Sequence, residues 1–206
     1  WALLSWIYGD QERYGYDRSP KGDGLERALR AAQQAVLINP TNPTAHQYLA
    51  IARFELGTDD AGARQAIEVA LRLSPNNSEI LANASWIFAH LNRDDRARDL
   101  GLKAVSLNPG HPSWYWNGLT VHALRNAQKA DALRYARLNS ADQTIWEVYL
   151  LAAALRLNGQ DIAADTALEK LSQTYPEALR DRERQMRVLR IPAEIKPLIW
   201  GKRSWG

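Results

Sequence analysis

Cysteine is absent from the 206 residues, which excludes a disulfide framework, a thiolate metal site and redox-thiol chemistry, and fits a cytoplasmic setting. Long apolar runs are missing too. The longest, near Val148 to Leu155, falls well short of the roughly 20 residues that a membrane-spanning helix needs. No leader pattern is visible, and the chain opens on Trp1 rather than Met; it is expected to be a segment of a longer protein. Histidine is sparse: His46, His90, His111 and His122 include no pair at the i, i+4 spacing of a helical zinc site. Nucleophile motifs, phosphate loops and dinucleotide fingerprints are lacking as well, since the two glycines of "KGDGLER" follow no predicted strand. The sequence therefore offers no catalytic residue, no metal and no cofactor, and is read as non-enzymatic.

What is present is ordinary for a folded protein, 46% hydrophobic and 24% charged. The formal charge of +3 is unevenly placed, with eight Lys and Arg against four Asp and Glu in residues 177–206. The basic character thus belongs to the tail.

Self-similarity organises the rest. "AVLINP", "ALRLSP" and "AVSLNP" end at Pro40, Pro75 and Pro109, spaced 35 and 34 residues apart, and "LSQTYP" ends at Pro176, 67 further on. Twelve residues before these prolines stand Ala28, Ala63, Ala97 and Ala164; five before them stand Ala35, Ala70, Ala104 and Leu171. Positions seven apart lie almost on one helical face, so each pair marks a helix that passes close to its neighbour, and the proline stops that helix. A preceding helix and a short polar turn complete each unit, as in "FELGTDDAG", "AHLNRDDRA" and "LRLNGQDIA". The paired acids Asp59, Asp60 and Asp94, Asp95 fall where second helices start and are read as caps.

This helical hairpin with its closing proline resembles the tetratricopeptide repeat. The resemblance implies an all-α, right-handed superhelical solenoid of about five hairpins over residues 1–40, 41–75, 76–109, 110–142 and 143–176. Residues 177–206 then form a basic, solvated capping helix and tail, with a short helix after Ile191. The fourth repeat lacks its proline, which predicts a short second helix around Ala130 to Leu138. "GDQERYGYDRSPKGDG", from Gly9 to Gly24, reads as a loop interrupting the first repeat.

"NPGHPSWYWNG" places Trp114, Tyr115 and Trp116 in succession. At about 100° per helical residue these rings cannot share a face, so Trp116 is assigned to the core and Trp114 points away. Each other first helix carries an off-face aromatic as well: Trp6, Tyr48, Trp86 and Trp146. First helices line the inner wall of such solenoids, the usual binding surface. The five rings, with His90 and Asn117 as hydrogen-bonding neighbours, form a candidate groove for a peptide, a partner protein or a sister domain.

The stretches "AAQQAVLINPTNPTAHQYLA", "LNPGHPSWYW" and "LAAALRLNGQDIAADTALEKLSQTYP" are also similar to repeat regions of bacterial signalling proteins, where they are attached to class III adenylate cyclase domains or winged-helix transcription regulators. That resemblance keeps a second function open, a ligand-sensing regulatory domain with the Gly9–Gly24 loop as a lid. Clustered arginines in the tail raise nucleic-acid contact, but the interleaved acids of "RDRERQMRVLR" argue against it, and a solvated cap is the expectation. Trp200 and Trp205 make the tail a candidate for homodimer formation.

Overall fold

The computed structural model describes residues 1–14, 23–91, 95–140 and 144–201, all of them helical or in the turns between helices. Five antiparallel pairs form the body: α1 (Ala2–Tyr14) with α2 (Gly24–Ile38), α3 (Pro43–Leu56) with α4 (Asp60–Leu73), α5 (Ser78–Leu91) with α6 (Asp95–Leu107), α7 (Asn117–Arg125) with α8 (Lys129–Asn139), and α9 (Ile145–Leu157) with α10 (Asp161–Thr174). Each second helix packs on the next first helix, and α1, α3, α5, α7 and α9 lie side by side as one wall. The result is an all-α helical-repeat solenoid.

Local chemistry explains where these helices begin. Asn42, two residues past Pro40, accepts hydrogen bonds from the Thr44 and Ala45 amides, and Pro43 occupies the first turn of α3. Asn77, two past Pro75, does the same for Glu79 and Ile80. The Asp59 carboxylate accepts from the Gly62 amide at 2.8 Å, the cap expected of it. Asp95 stands in the first turn of α6, while Asp94 lies outside the described residues. Thr144 and Glu147 form a capping box at α9. Stops are equally local, Gly57 and Gly159 taking left-handed backbone at the turns into α4 and α10.

The alanine pairs sit as the spacing predicts. Ala28, Ala63, Ala70, Ala97, Ala104 and Ala164 are buried against neighbouring helices. The short α8 also follows the missing proline.

Three regions differ from expectation. Helix α1 does not stop at Gly9 but continues to Tyr14. Gly9 is buried, and a Cβ there would lie 3.1 Å from the Glu55 carboxylate, so this glycine permits close packing instead of breaking the helix. Residues 15–22 of the expected loop lie outside the described residues. Second, Ser113–Trp116 is a 3₁₀ turn preceding α7. Tyr115 is its buried ring, whereas Trp116 is half-buried and stacks on Tyr135 at 5.6 Å. The α-helical angle used to place Trp116 in the core does not apply to a 3₁₀ segment, which winds at about three residues per turn.

The third difference is the tail. Helix α11 (Pro176–Arg180) packs on α10, as a cap does. Beyond it, residues 182–200 are solvated on one face only. Helix α12 (Arg182–Val188) and helix α13 (Lys196–Trp200) turn back over the solenoid and bury Gln185, Met186, Leu189, Ile191, Ile195 and Ile199. A five-residue turn such as α11 is too small to cover the wall, and the tail's aliphatic residues find that burial by folding back across it.

Candidate functional site

The expected groove residues are not equivalent. Trp6 on α1 is 44% exposed, and Tyr48 on α3 is half-buried with its hydroxyl 3.5 Å from Glu79. Trp114 is half-buried beside Tyr115, their ring centres 4.5 Å apart. Trp86, His90 and Trp146 come together with Phe54 as a chain of rings spanning α3, α5 and α9. Phe54 meets Trp86 edge-on at 4.9 Å, Trp86 meets His90 at 5.7 Å, and His90 stacks on Trp146 at 5.5 Å. Such edge-on and stacked pairs stabilise beyond their buried area. Trp146 is only 8% exposed. Its indole nitrogen donates to Asn117 Oδ1 at 2.7 Å, and the same oxygen accepts from Asn139. Asn117 therefore braces α7, α8 and α9. The indole nitrogen of Trp86 is buried without a hydrogen-bonding partner among the described residues.

The His90 Nδ1 lies 2.8 Å from the Trp86 carbonyl oxygen. A carbonyl only accepts, so Nδ1 carries the proton. Burial pushes the imidazole pKa down to about 3, helped by the nearby Arg125 and Arg190 cations and opposed by the hydrogen bond to Trp86 and by Glu194. His90 is therefore a neutral ring at physiological pH.

Sequence reasoning missed a second set of residues, which gather at the C-terminal ends of the first helices. Arg184 of α12 reaches Glu12 near the end of α1, at 3.4 Å. Arg190 donates to the Phe54 carbonyl at 2.6 Å, pairs with Asp60 at 2.7 Å and lies over the Phe54 ring at 4.5 Å. Arg125, ending α7, donates to the carbonyls of Ala89 and His90 on α5 and grips Glu194 of the tail at 2.7 Å. Arg156, near the end of α9, donates to the Leu198 and Ile199 carbonyls and to Asp165. Trp200, expected to be free for self-association, meets Tyr149 edge-on at 5.2 Å and carries the Arg182 guanidinium over its face at 4.8 Å. Trp205 lies outside the described residues. The chain from Arg184 to Ile199 thus forms a strap that meets α1, α3, α7 and α9.

Next to Glu12 and Phe54, Arg13 bonds both Asp10 and Glu55. Burial raises the pKa of each acid, and the Arg13 charge opposes that rise. Among the described residues no group of three His, Asp or Glu is arranged to hold a metal, and no helix is long and apolar enough to cross a membrane.

No family model and no curated protein matches the chain. Solved structures do. PilW, described as a widely conserved type IV pilus biogenesis factor, aligns over 95% of this chain and 90% of its own with a TM-score of 0.65 at 20% identity. A tetratricopeptide repeat protein from Parabacteroides merdae ATCC 43184 covers 96% of this chain and 82% of its own, with a TM-score of 0.58 at 18% identity. MamA covers 87% and 94%, with a TM-score of 0.54 at 15% identity. The fold is the tetratricopeptide-repeat fold. At these identities the likeness is one of fold alone.

Proposed function

We propose that the protein is a non-enzymatic interaction module that binds a segment of a protein partner, or of a sister domain, along the wall of first helices. One observation carries this reading: a length of chain belonging to no repeat is already held along that wall, through guanidinium-to-carbonyl and guanidinium-to-carboxylate contacts that a peptide with suitably placed charges can supply. The groove comprises Trp6, Tyr48, Trp86, His90, Trp114, Asn117 and Trp146. Trp6, Tyr48 and Trp114 offer accessible ring surface, while Trp86, His90, Asn117 and Trp146 hold α3, α5, α7 and α9 in register beneath it. Attachment to a bacterial cyclase or winged-helix regulator, and with it a cytoplasmic signalling role, is supported by the sequence resemblance. Against nucleic-acid contact stands the engagement of Arg182, Arg184 and Arg190 within the chain.

The test is affinity capture with the intact chain and with a Trp86→Ala, Trp114→Ala variant of equal helicity, followed by titration of the captured partner. A partner held at high salt and lost with the variant supports the module. Equal capture by both chains, or none, counts against the groove.

A further inference from the structure

We propose that residues 182–200 are a built-in competitor, occupying the place of a partner's linear segment that is basic in its N-terminal half and carries a carboxylate among aliphatic residues in its C-terminal half. This inference rests on the reading of the chain as an interaction module.

The charges of the wall fix that chemistry. Where the strap meets the first two repeats, the solenoid presents the carboxylates of Glu12 and Asp60, answered by Arg184 and Arg190 of the strap. At the fourth and fifth repeats it presents the guanidiniums of Arg125 and Arg156, answered by the Glu194 carboxylate and by the Leu198 and Ile199 carbonyls. A segment laid across the wall in the opposite sense would set like charges against each other at both ends, so the polarity also sets direction. Between the charges, Ile191, Ile195 and Ile199 recur every four residues and are all buried. They define the aliphatic positions that a partner must reproduce.

The strap is also an imperfect occupant. An open cleft of about 420 Å³ remains between it and the ends of α3 and α5, with Phe54, Glu55, His90, Arg187, Ile191 and Lys196 in its lining. Apolar surface left facing water in the cleft is surface that a longer or bulkier segment can still bury. Directly beside this cleft Arg190 takes left-handed backbone, φ +48°, a conformation that a residue with a Cβ adopts at some strain. A partner segment that fills the space without that strained turn displaces the strap, and its apparent affinity is lowered by the fraction of chains in which the strap is seated.

The experiment uses the full chain, unmodified and as an Arg190→Glu, Glu194→Lys variant in which the strap is loosened while Asp60 and Arg125 remain. A fluorescein-labelled peptide of residues 182–200 is titrated by anisotropy. Binding at least tenfold tighter to the loosened chain, reduced at least tenfold when the peptide itself carries Glu194→Lys, is the expected result. Equal binding to both chains, or no binding to a variant that keeps its helicity, overturns the competitor. So does exchange of tails between two copies, seen as a dimer by light scattering that the peptide does not dissolve. Should the variant lose its helicity, hydrogen exchange of the unmodified chain decides: amides of 191–199 exchanging at least a hundredfold faster than those of α5 support the proposal, and equal protection overturns it. A partner held through Trp86 and Trp114 equally well by both chains leaves the module standing and removes only the competitor.

Discussion

Arg190 combines a backbone that favours glycine with a side chain that glycine lacks. It stands at the residue after the C-cap of α12, where the Ile191 amide reaches back to the Met186 carbonyl and the Arg190 amide to Arg187. That is the hydrogen-bond pattern of a Schellman stop. Its guanidinium answers Asp60 and the Phe54 carbonyl. Replacement by alanine removes those contacts and keeps the strain, whereas replacement by glycine removes both. We expect Arg190→Gly to be more stable than Arg190→Ala by about 1 kcal/mol, measured by urea unfolding, with both below the parent. His90 supplies a pH dependence. Its folded pKa lies below its unfolded value, so the unfolded chain binds the extra proton, and stability present above pH 6.5 is lost as the pH falls toward 3. Glu55 and Asp10, whose folded pKa values are raised by burial, act in the opposite sense, losing stability as the pH rises through their folded values. Comparing the parent with His90→Phe isolates the histidine. The melting temperature of the variant should gain on that of the parent as the pH falls from 7 to 4, and a constant gap would show that the ring does not titrate on unfolding.

Between helices, the contact that decides the packing of α5 against α7 is a glycine. A Cβ on Gly118 would lie 2.6 Å from the Ser85 carbonyl carbon and the Trp86 amide nitrogen. Backbone cannot step aside as a side chain end does, so Gly118→Ala should destabilise by about 1–3 kcal/mol, the usual range for overpacking, and should do so without altering surface charge. The contact differs from the alanine pairs in how it is written into the sequence. Ala28, Ala63, Ala97 and Ala164 repeat at a fixed distance from a proline and could be found by counting, while Gly118 fits no period. The same contrast runs through the candidate site. Helix pairing and solenoid class follow from signals within one repeat and were legible, as was the Asp59 cap, while the caps at Asn42, Asn77 and Thr144 were not read. Trp146 and Asn117 were expected in the groove by helical angle alone, but their mutual hydrogen bond joins helices 29 residues apart. The tail is the extreme case. Arg184 meets Glu12 across 172 residues of sequence, and a basic amphipathic stretch has the same pattern whether it faces water or a wall of helices. Only the four-residue spacing of Ile191, Ile195 and Ile199 hinted that one face is buried.

Across the molecule, the strap changes how the solenoid unfolds. In a plain repeat stack each unit touches only its neighbours, and unfolding can begin at either end and spread. Here the first, second, fourth and fifth repeats share one bound segment, through Glu12, Asp60, Arg125 and Arg156. Loss of that segment therefore weakens distant repeats together, and the parent should unfold as a single unit. Ile195, a fully buried residue of the strap itself, offers a way to release it without touching any charge. Ile195→Ala should cost about 2–5 kcal/mol, the range for truncating a buried aliphatic side chain. It should also remove the long-range coupling. Tryptophan fluorescence, weighted toward the rings of repeats three to five, and circular dichroism, which reports all helices, should coincide in denaturant for the parent and separate for Ile195→Ala. Coincident curves for the variant at a lower midpoint would mean that the repeats couple through their own interfaces, and that the strap adds stability without adding cooperativity.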